Sequence, residues 1–362
     1  VEKARRNSVA GEKVLFLCYN RLLRDNLDQT HKHSEDASYN EQFGNVDFYT
    51  ISGLAQKYAG SYDDWEGLEE WLYKEGFPYK HVIIDEGQDF ALLPSKEEGD
   101  RNVEIIDELR EAALQSGGTF YLFYDRNQAI QGERNRTYEL PSYIADSDCR
   151  LTLYQNCRNT SAISQTSLTP LQLPQKRWSG SKVIDPWSVR VEKPVFHLLD
   201  DESLIVETVN KVLDDLQAKD VTDIVLLTVG TMAYTALRDG LESLDEGADK
   251  YWYYCYKRKR YRMTTAQRFK GLEATAIIMV DLKPDSFAGK NGMVFYVGAS
   301  RAKLFLDFVA VIPEGEYKNV IQSVKETEPV NKSAKRLRNV IQDLFHARVE
   351  DTRLSSISEM NP

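Results

Sequence analysis

The 362-residue chain is 42% apolar and 28% charged, with a formal net charge of −10. That balance describes a globular protein long enough for two domains with separate cores, and it excludes one that coats nucleic acid through bulk positive charge. It leaves room for a local basic groove, because binding depends on where Lys and Arg lie. No run of about 18 apolar residues occurs, so neither a spanning helix nor a membrane partner is expected. Cys18, Cys149, Cys157 and Cys255 show no CxxC spacing. This suggests neither a disulfide framework nor a zinc site, and points to a cytoplasmic setting.

The opening, VEKARRNSVAGEKVLFLC, reads as a helix already under way followed by a strand. Further strand-like runs are VDFY (46–49), HVIID (81–85) and TFYLFY (119–124). NVEIIDELREAALQ is helical and stops at Gly117-Gly118. A second set of strands comprises LTLY near Leu151, VFHLL near Val195, DIVLLT near Ile224, AIIMVDL near Ile277 and LFLDFVAVI from Leu304. Between the two sets lies LTPLQLPQKRWSGSKVIDPW, a loop-like Pro-, Gly- and Ser-rich stretch. Strands alternating with amphipathic segments indicate an α/β architecture with parallel sheets. Three segments are expected: a first domain over 1–149, a second over 150–312, and a polar, partly helical tail over 313–362.

Two stretches carry possible chemistry. In KHVIIDEGQDF, a short buried strand runs into Asp85, Glu86 and Asp89. Ligands of open α/β sheets bind at strand carboxyl ends, and clustered carboxylates repel unless a cation such as Mg²⁺ neutralises them. A surface turn after a core strand explains the same residues equally well. In YWYYCYKRKRYR, six aromatics precede or interleave Lys257, Arg258, Lys259, Arg260 and Arg262. Alternation would give a strand with an aromatic and a basic face, suited to stacking and phosphate contact. The competing account is an edge strand whose aromatics enter the core and whose cations discourage aggregation.

Seven segments, in order, resemble the motifs of superfamily 1A helicases of the UvrD/Rep/PcrA-like group. They are VLFLCYNRLLRDNL, FYTISGLAQKYAG, VIIDEGQDF, LFYDRNQAIQG, LTLYQNCRNTSAI, TTAQRFKGLEATAIIMV and FYVGASRAKLFL. The resemblance implies two RecA-like P-loop NTPase domains with small or absent inserted subdomains. It implies ATP and Mg²⁺ as cofactors, and ATP hydrolysis coupled to 3′–5′ movement on single-stranded or partly duplex DNA. A fused or associated nuclease is a further implied partner. Carried over residue by residue, Asp85 holds Mg²⁺, Glu86 polarises the attacking water and Gln128 orients it. Arg158 and Arg301 act as arginine fingers, while Gly271 and Glu273 receive the nucleotide. DNA contacts fall to Tyr19, Asn20, Thr50, Ser52 (where the family has His), Arg134, Thr265 and Gln267.

Three departures matter. No GxxxxGKS/T phosphate-binding loop occurs in the sequence, and VEKARR resembles the end of the helix that follows it. The expectation is therefore a chain that begins after this loop and is inactive alone. Gln131 and Glu133 stand where the family places a base-stacking aromatic pair. The spacings around 60–80 and between Arg158 and Lys270 leave no room for large inserted domains. A non-catalytic nucleic-acid-binding or regulatory module of a repair or defence assembly is the alternative expectation.

Overall fold

The computed structural model describes residues 1–73, 76–89, 100–125, 147, 149, 151, 155–171, 182–183, 192–246, 249–324 and 336–351. The chain divides into two units, Val1–Leu151 and Thr152–Pro362.

In the first unit the elements are α1 (Glu2–Val9), β1 (Val14–Leu17), α2 (Arg21–Lys32), α3 (Ala37–Glu41), β2 (Val46–Tyr49), α4 (Ile51–Tyr58), α5 (Trp65–Tyr73), β3 (His81–Ile84), α6 (Asp100–Gln115) and β4 (Thr119–Leu122). The strands form one parallel sheet in the order β2-β1-β3-β4. Every residue of β1 and β3 is buried, as a parallel strand covered on both faces requires. One face packs Leu15, Leu17, Val82 and Ile84 against Leu54, Leu68, Ile105 and Leu109. On the other face, Phe16 meets Phe48, and His31 of α2 stacks on Phe43 at 4.7 Å. Asn20, Asp36 and Thr50 start α2, α3 and α4 by accepting backbone N–H bonds that the first turn cannot satisfy itself.

The second unit contains β5 (Gln155–Asn156), α7 (Ser161–Leu168), β6 (Lys182–Val183), β7 (Val195–Leu199), α8 (Ile205–Ala218), β8 (Ile224–Thr228), β9 (Leu241–Glu246), β10 (Asp249–Tyr256), β11 (Lys259–Thr265), β12 (Ala274–Leu282), α9 (Gly289–Ala299), β13 (Ala302–Val311), α10 (Tyr317–Val324), α11 (Leu337–Phe345) and β14 (Arg348–Asp351). Its main sheet runs β14-β7-β13-β12-β8-β11-β10-β9, parallel as far as β11, with β10 and β9 added antiparallel. Helix α8 covers one face through Val209, Val212, Leu213 and Leu216. On the other face Phe196 stacks on Phe308 at 4.3 Å and lies 5.0 Å from Phe345, which is 4.9 Å from Phe287.

The α/β architecture matches, and the strands expected at 46–49, 81–85, 195–199, 223–228 and 276–282 fall within two residues of β2, β3, β7, β8 and β12. LTLY falls mostly outside the described residues. The stretch after residue 312 differs from a separate polar tail: α11 buries Leu337, Val340, Ile341 and Phe345, and β14 pairs with β7. The physical reason is that β7 would otherwise present an open edge.

Candidate functional site

Because the first sheet is parallel throughout, the carboxyl ends of its strands share one edge. Tyr19 and Asn20 follow β1, Thr50 and Ser52 follow β2, and Asp85 and Glu86 follow β3. Tyr19 is exposed at 38%. Asn20 and Thr50 are engaged locally, Asn20 accepting from the Leu22 N–H at 2.8 Å and Thr50 from the Gly53 N–H at 3.0 Å. Ser52 lies half-buried in the first turn of α4.

Asp85 is tied to the sheet by its N–H, which donates to the Leu17 carbonyl at 2.9 Å, and its Oδ1 accepts from the Glu86 N–H at 3.0 Å. Glu86 has φ of 55°, a left-handed conformation that costs a non-glycine residue of order 1–3 kcal/mol and clusters at functional sites. The turn that forces it is compact. The Gly87 N–H donates to the Phe123 carbonyl at 2.8 Å, and a Cβ at Gly87 would sit 2.5 Å from Leu122 Cδ1. Gln88, only 3% exposed, donates from Nε2 to Glu86 Oε2 at 2.5 Å and accepts at Oε1 from the Asp125 N–H at 2.9 Å. Sequence reasoning gave Gln88 no role, although the DEGQD spelling contains it. It fixes Glu86 against the segment leaving β4. Gln128 and Arg134 lie outside the described residues.

The second unit gathers a separate group. Asn156 closes a turn by accepting from the N–H groups of Arg158 at 3.0 Å and Asn159 at 3.3 Å. Arg158 Nε pairs with Glu273 Oε2 at 3.0 Å, and Lys303 Nζ lies 3.4 Å from the other oxygen of Glu273. Burial pushes the Glu273 carboxyl up, but Arg158 and Lys303 outweigh it and hold the pKa below the ordinary value. Gly271, with φ of 84°, makes the turn before Glu273. Thr265 ends β11 and accepts from the Arg268 N–H at 3.1 Å, while Gln267 is exposed beside it.

Arg301 departs from the expectation of an arginine held ready for a phosphate. It is 0% exposed, with Nε donating to the Val297 carbonyl and Nη2 to Ser300 Oγ, both at 3.0 Å. Asn159, also missed from the sequence, bridges the neighbouring backbone by donating to the carbonyls of Ser300 at 2.9 Å and Ala302 at 2.6 Å. The Arg158 turn and the Arg301 segment are thus one hydrogen-bonded body.

Among the described residues no group of three His, Cys, Asp or Glu side chains is placed to hold a metal ion. A carboxylate such as Asp85 nevertheless suits Mg²⁺, which takes one or two carboxylates and completes its shell with water and phosphate oxygens. Among the described residues no helix is long and apolar enough to cross a membrane.

No protein-family model and no curated protein matches the sequence. Among solved structures, the chain is similar to Mss116p (NTE and C-tail double deletion) bound to ssRNA and AMP-PNP, at 10% identity and TM-score 0.39, covering 92% of this chain and 67% of that one. It is similar to the DEAD-box helicase Mss116 bound to ssRNA and UDP-BeF at the same identity and coverage, with TM-score 0.38. These likenesses are too low to assign a function.

Proposed function

We propose that the chain supplies two RecA-like halves of a UvrD-like, superfamily 1A DNA helicase, coupling ATP hydrolysis to 3′–5′ movement on single-stranded DNA. The observation that carries the reading is the shared carboxyl edge of the first sheet. There the proposed DNA contacts (Tyr19, Asn20, Thr50, Ser52) stand beside the proposed hydrolytic pair, Asp85 and Glu86. Asp85 would fill one coordination position of Mg²⁺, whose charge offsets that developing on a phosphate. Glu86, held in its left-handed turn by Gln88, would accept the proton of the attacking water. In the second unit, Arg158 has the solvent access that Arg301 lacks, and releasing it from Glu273 would free a charge for phosphate and a carboxylate for a sugar hydroxyl. Arg301 would act only after its bonds to Val297 and Ser300 broke. Gln128, Gly271, Arg134, Thr265 and Gln267 keep the roles implied by the resemblance.

The second reading, a non-catalytic nucleic-acid-binding module, is favoured by one fact: Arg301 is enclosed and hydrogen-bonded to Val297 and Ser300 instead of being held ready for a phosphate. Steady-state phosphate release separates the two. The chain alone should bind ATP weakly and show no turnover. Joined at its amino end to a GxxxxGKS/T loop, it should show an ATPase stimulated by single-stranded DNA. In that longer protein, Glu86→Gln should reduce turnover by about 10²-fold or more while keeping nucleotide binding. Arg158→Ala should cost on the order of 10³-fold. Absent stimulation, or full activity in Glu86→Gln, would leave the module reading in place.

A further inference from the structure

The aromatic and basic stretch around residues 251–262 does not act as one face. Strands β10 and β11 form a hairpin in which Trp252 faces Met263, Tyr253 faces Arg262, Tyr254 faces Tyr261, Cys255 faces Arg260 and Tyr256 faces Lys259. Directly opposed residues share a side of the sheet, and alternate pairs change sides. Tyr254, Tyr261 and Met263 enter the core under α8. That side is also fastened by polar contacts at helical spacing. Tyr254 donates to Asn210 at 2.9 Å, Tyr256 to Asp214 at 3.0 Å, and Tyr261 bonds Gln217. The opposite side therefore carries Tyr253, Arg260 and Arg262. Both arginines are exposed and Tyr253 is half-exposed. Arg260 lies 3.1 Å from Glu242, with both side chains more than half exposed, so solvent screens that pair.

The hairpin tip is unusual in the same direction. Lys257 and Arg258 have φ of 46° and 62°. Two successive positive φ values mark a two-residue turn in which Asn-Gly is the relaxed choice. Here the chain places two cations in the strained positions instead. Lys257 is drawn to Asp214 at 2.7 Å on the α8 side, while Arg258 is exposed at the tip.

We propose that this open side of the hairpin, with Tyr253 flanked by Arg262 and Arg260 below the Arg258 tip, is a binding ledge for single-stranded nucleic acid. One unpaired base stacks on Tyr253, and successive phosphates pair with arginines about 7 Å apart along β11. An aromatic between guanidinium groups suits an alternation of flat bases and phosphates. An acidic peptide would use the charges and leave the ring idle. On the open side β11 continues from Arg262 to the buried Thr264, so the ledge is confined to the hairpin end of the strand whose other end, at Thr265 and Gln267, belongs to the nucleic-acid site of the proposed function, on which this inference rests.

Fluorescence anisotropy with labelled single-stranded dT and rU oligonucleotides tests it on the full chain. Tyr253→Ala should weaken binding on the order of 10-fold. Arg260→Ala with Arg262→Ala should flatten the salt dependence by about 1.4 in log–log slope. Lys259→Ala removes the same charge from the α8 side and should change affinity less than twofold. Lys257→Asn with Arg258→Gly should raise the melting temperature and still weaken binding, which separates lost contact from lost folding. The ledge is wrong if the parent binds but Tyr253→Ala and the double arginine variant bind alike to it, or if Lys259→Ala loses as much as they do. Displacement of the oligonucleotide by poly-glutamate at equal charge would also overturn it. If the parent binds no oligonucleotide, both the ledge and the proposed function fall.

Discussion

Arg301 and Arg158 were assigned one task from the sequence and occupy opposite surroundings. Arg301 is enclosed, with its guanidinium satisfied by Val297 and Ser300, whereas Arg158 forms a half-exposed pair with Glu273. Truncating an enclosed, hydrogen-bonded side chain removes packing and leaves its acceptors unpaired, which costs about 1–3 kcal/mol for each group orphaned. Breaking an exposed pair costs about 1 kcal/mol or less. Thermal melts should therefore show Arg301→Ala strongly destabilised and Arg158→Ala close to the parent. Equal melting temperatures would mean that Arg301 is not held as described. Sequence alone could place both arginines in motifs, because motif order survives in the letters. It could not tell which is buried, because burial depends on Asn159 reaching Ser300 and Ala302 across more than a hundred residues. Gln88 escaped for the same reason, since its second partner is the distant Asp125 backbone.

At the level of elements, the central strands were legible because parallel strands buried on both faces read as unbroken apolar runs, as VLFL and HVII do. Strand β14 reads RVED and was not legible. Only Val349 is buried, and charged side chains are what an edge strand carries. Its attachment runs through His197 on β7, which bonds Asp307 of β13 at 2.9 Å and lies 3.5 Å from Glu350 of β14. Lys211 of α8 approaches the same Glu350 at 3.6 Å. Burial lowers the His197 pKa, but its bonds to Asp307 and Glu350 and their charges prevail and lift it to about 9. The bond to His197 also holds Glu350 down at about 2. A raised histidine pKa gives stability that is complete below about 6.5 and fades as pH rises to about 9. The depressed Glu350 gives stability that is present above about 4.5 and fades as pH falls towards about 2. Hydrogen exchange of β14 amides, corrected for intrinsic rate, should thus be slowest near pH 5–6 and faster at pH 9.5, by about 2–3 kcal/mol of opening free energy. His197→Gln should flatten that profile between pH 6.5 and 9.5; an unchanged profile would remove His197 as the titrating group.

For the whole molecule, the chain divides between Leu151 and Thr152 and each side has its own core, while the Pro- and Gly-rich stretch that begins at Leu168 belongs to the second unit. The boundary expected at residue 312 does not coincide with any edge of the second core. Phe345 is fully buried against Phe196 and Phe287, and its carbonyl accepts from Thr166 at 2.7 Å on α7. Loss of one buried Phe side chain costs about 3–5 kcal/mol, and domains have only about 5–15 kcal/mol in hand. A chain ending at residue 335 loses Leu337, Val340 and Ile341 as well. It should show no cooperative melt for the second unit and should bind a hydrophobic dye, while the first unit melts as before. A melt within a few degrees of the parent would return 336–362 to the status of an appendage.

The pairing of Phe196 with Val349 has a consequence during synthesis. β7 is the first long strand of its unit to leave the ribosome, and its partner β14 follows on the order of 150 residues later. At ordinary elongation rates that is about 8–30 s in which one edge of β7 has no partner. The second unit therefore completes its sheet only once residues 348–351 have emerged, and a nascent chain stalled before residue 348 exposes the strand edge that a chaperone would have to cover.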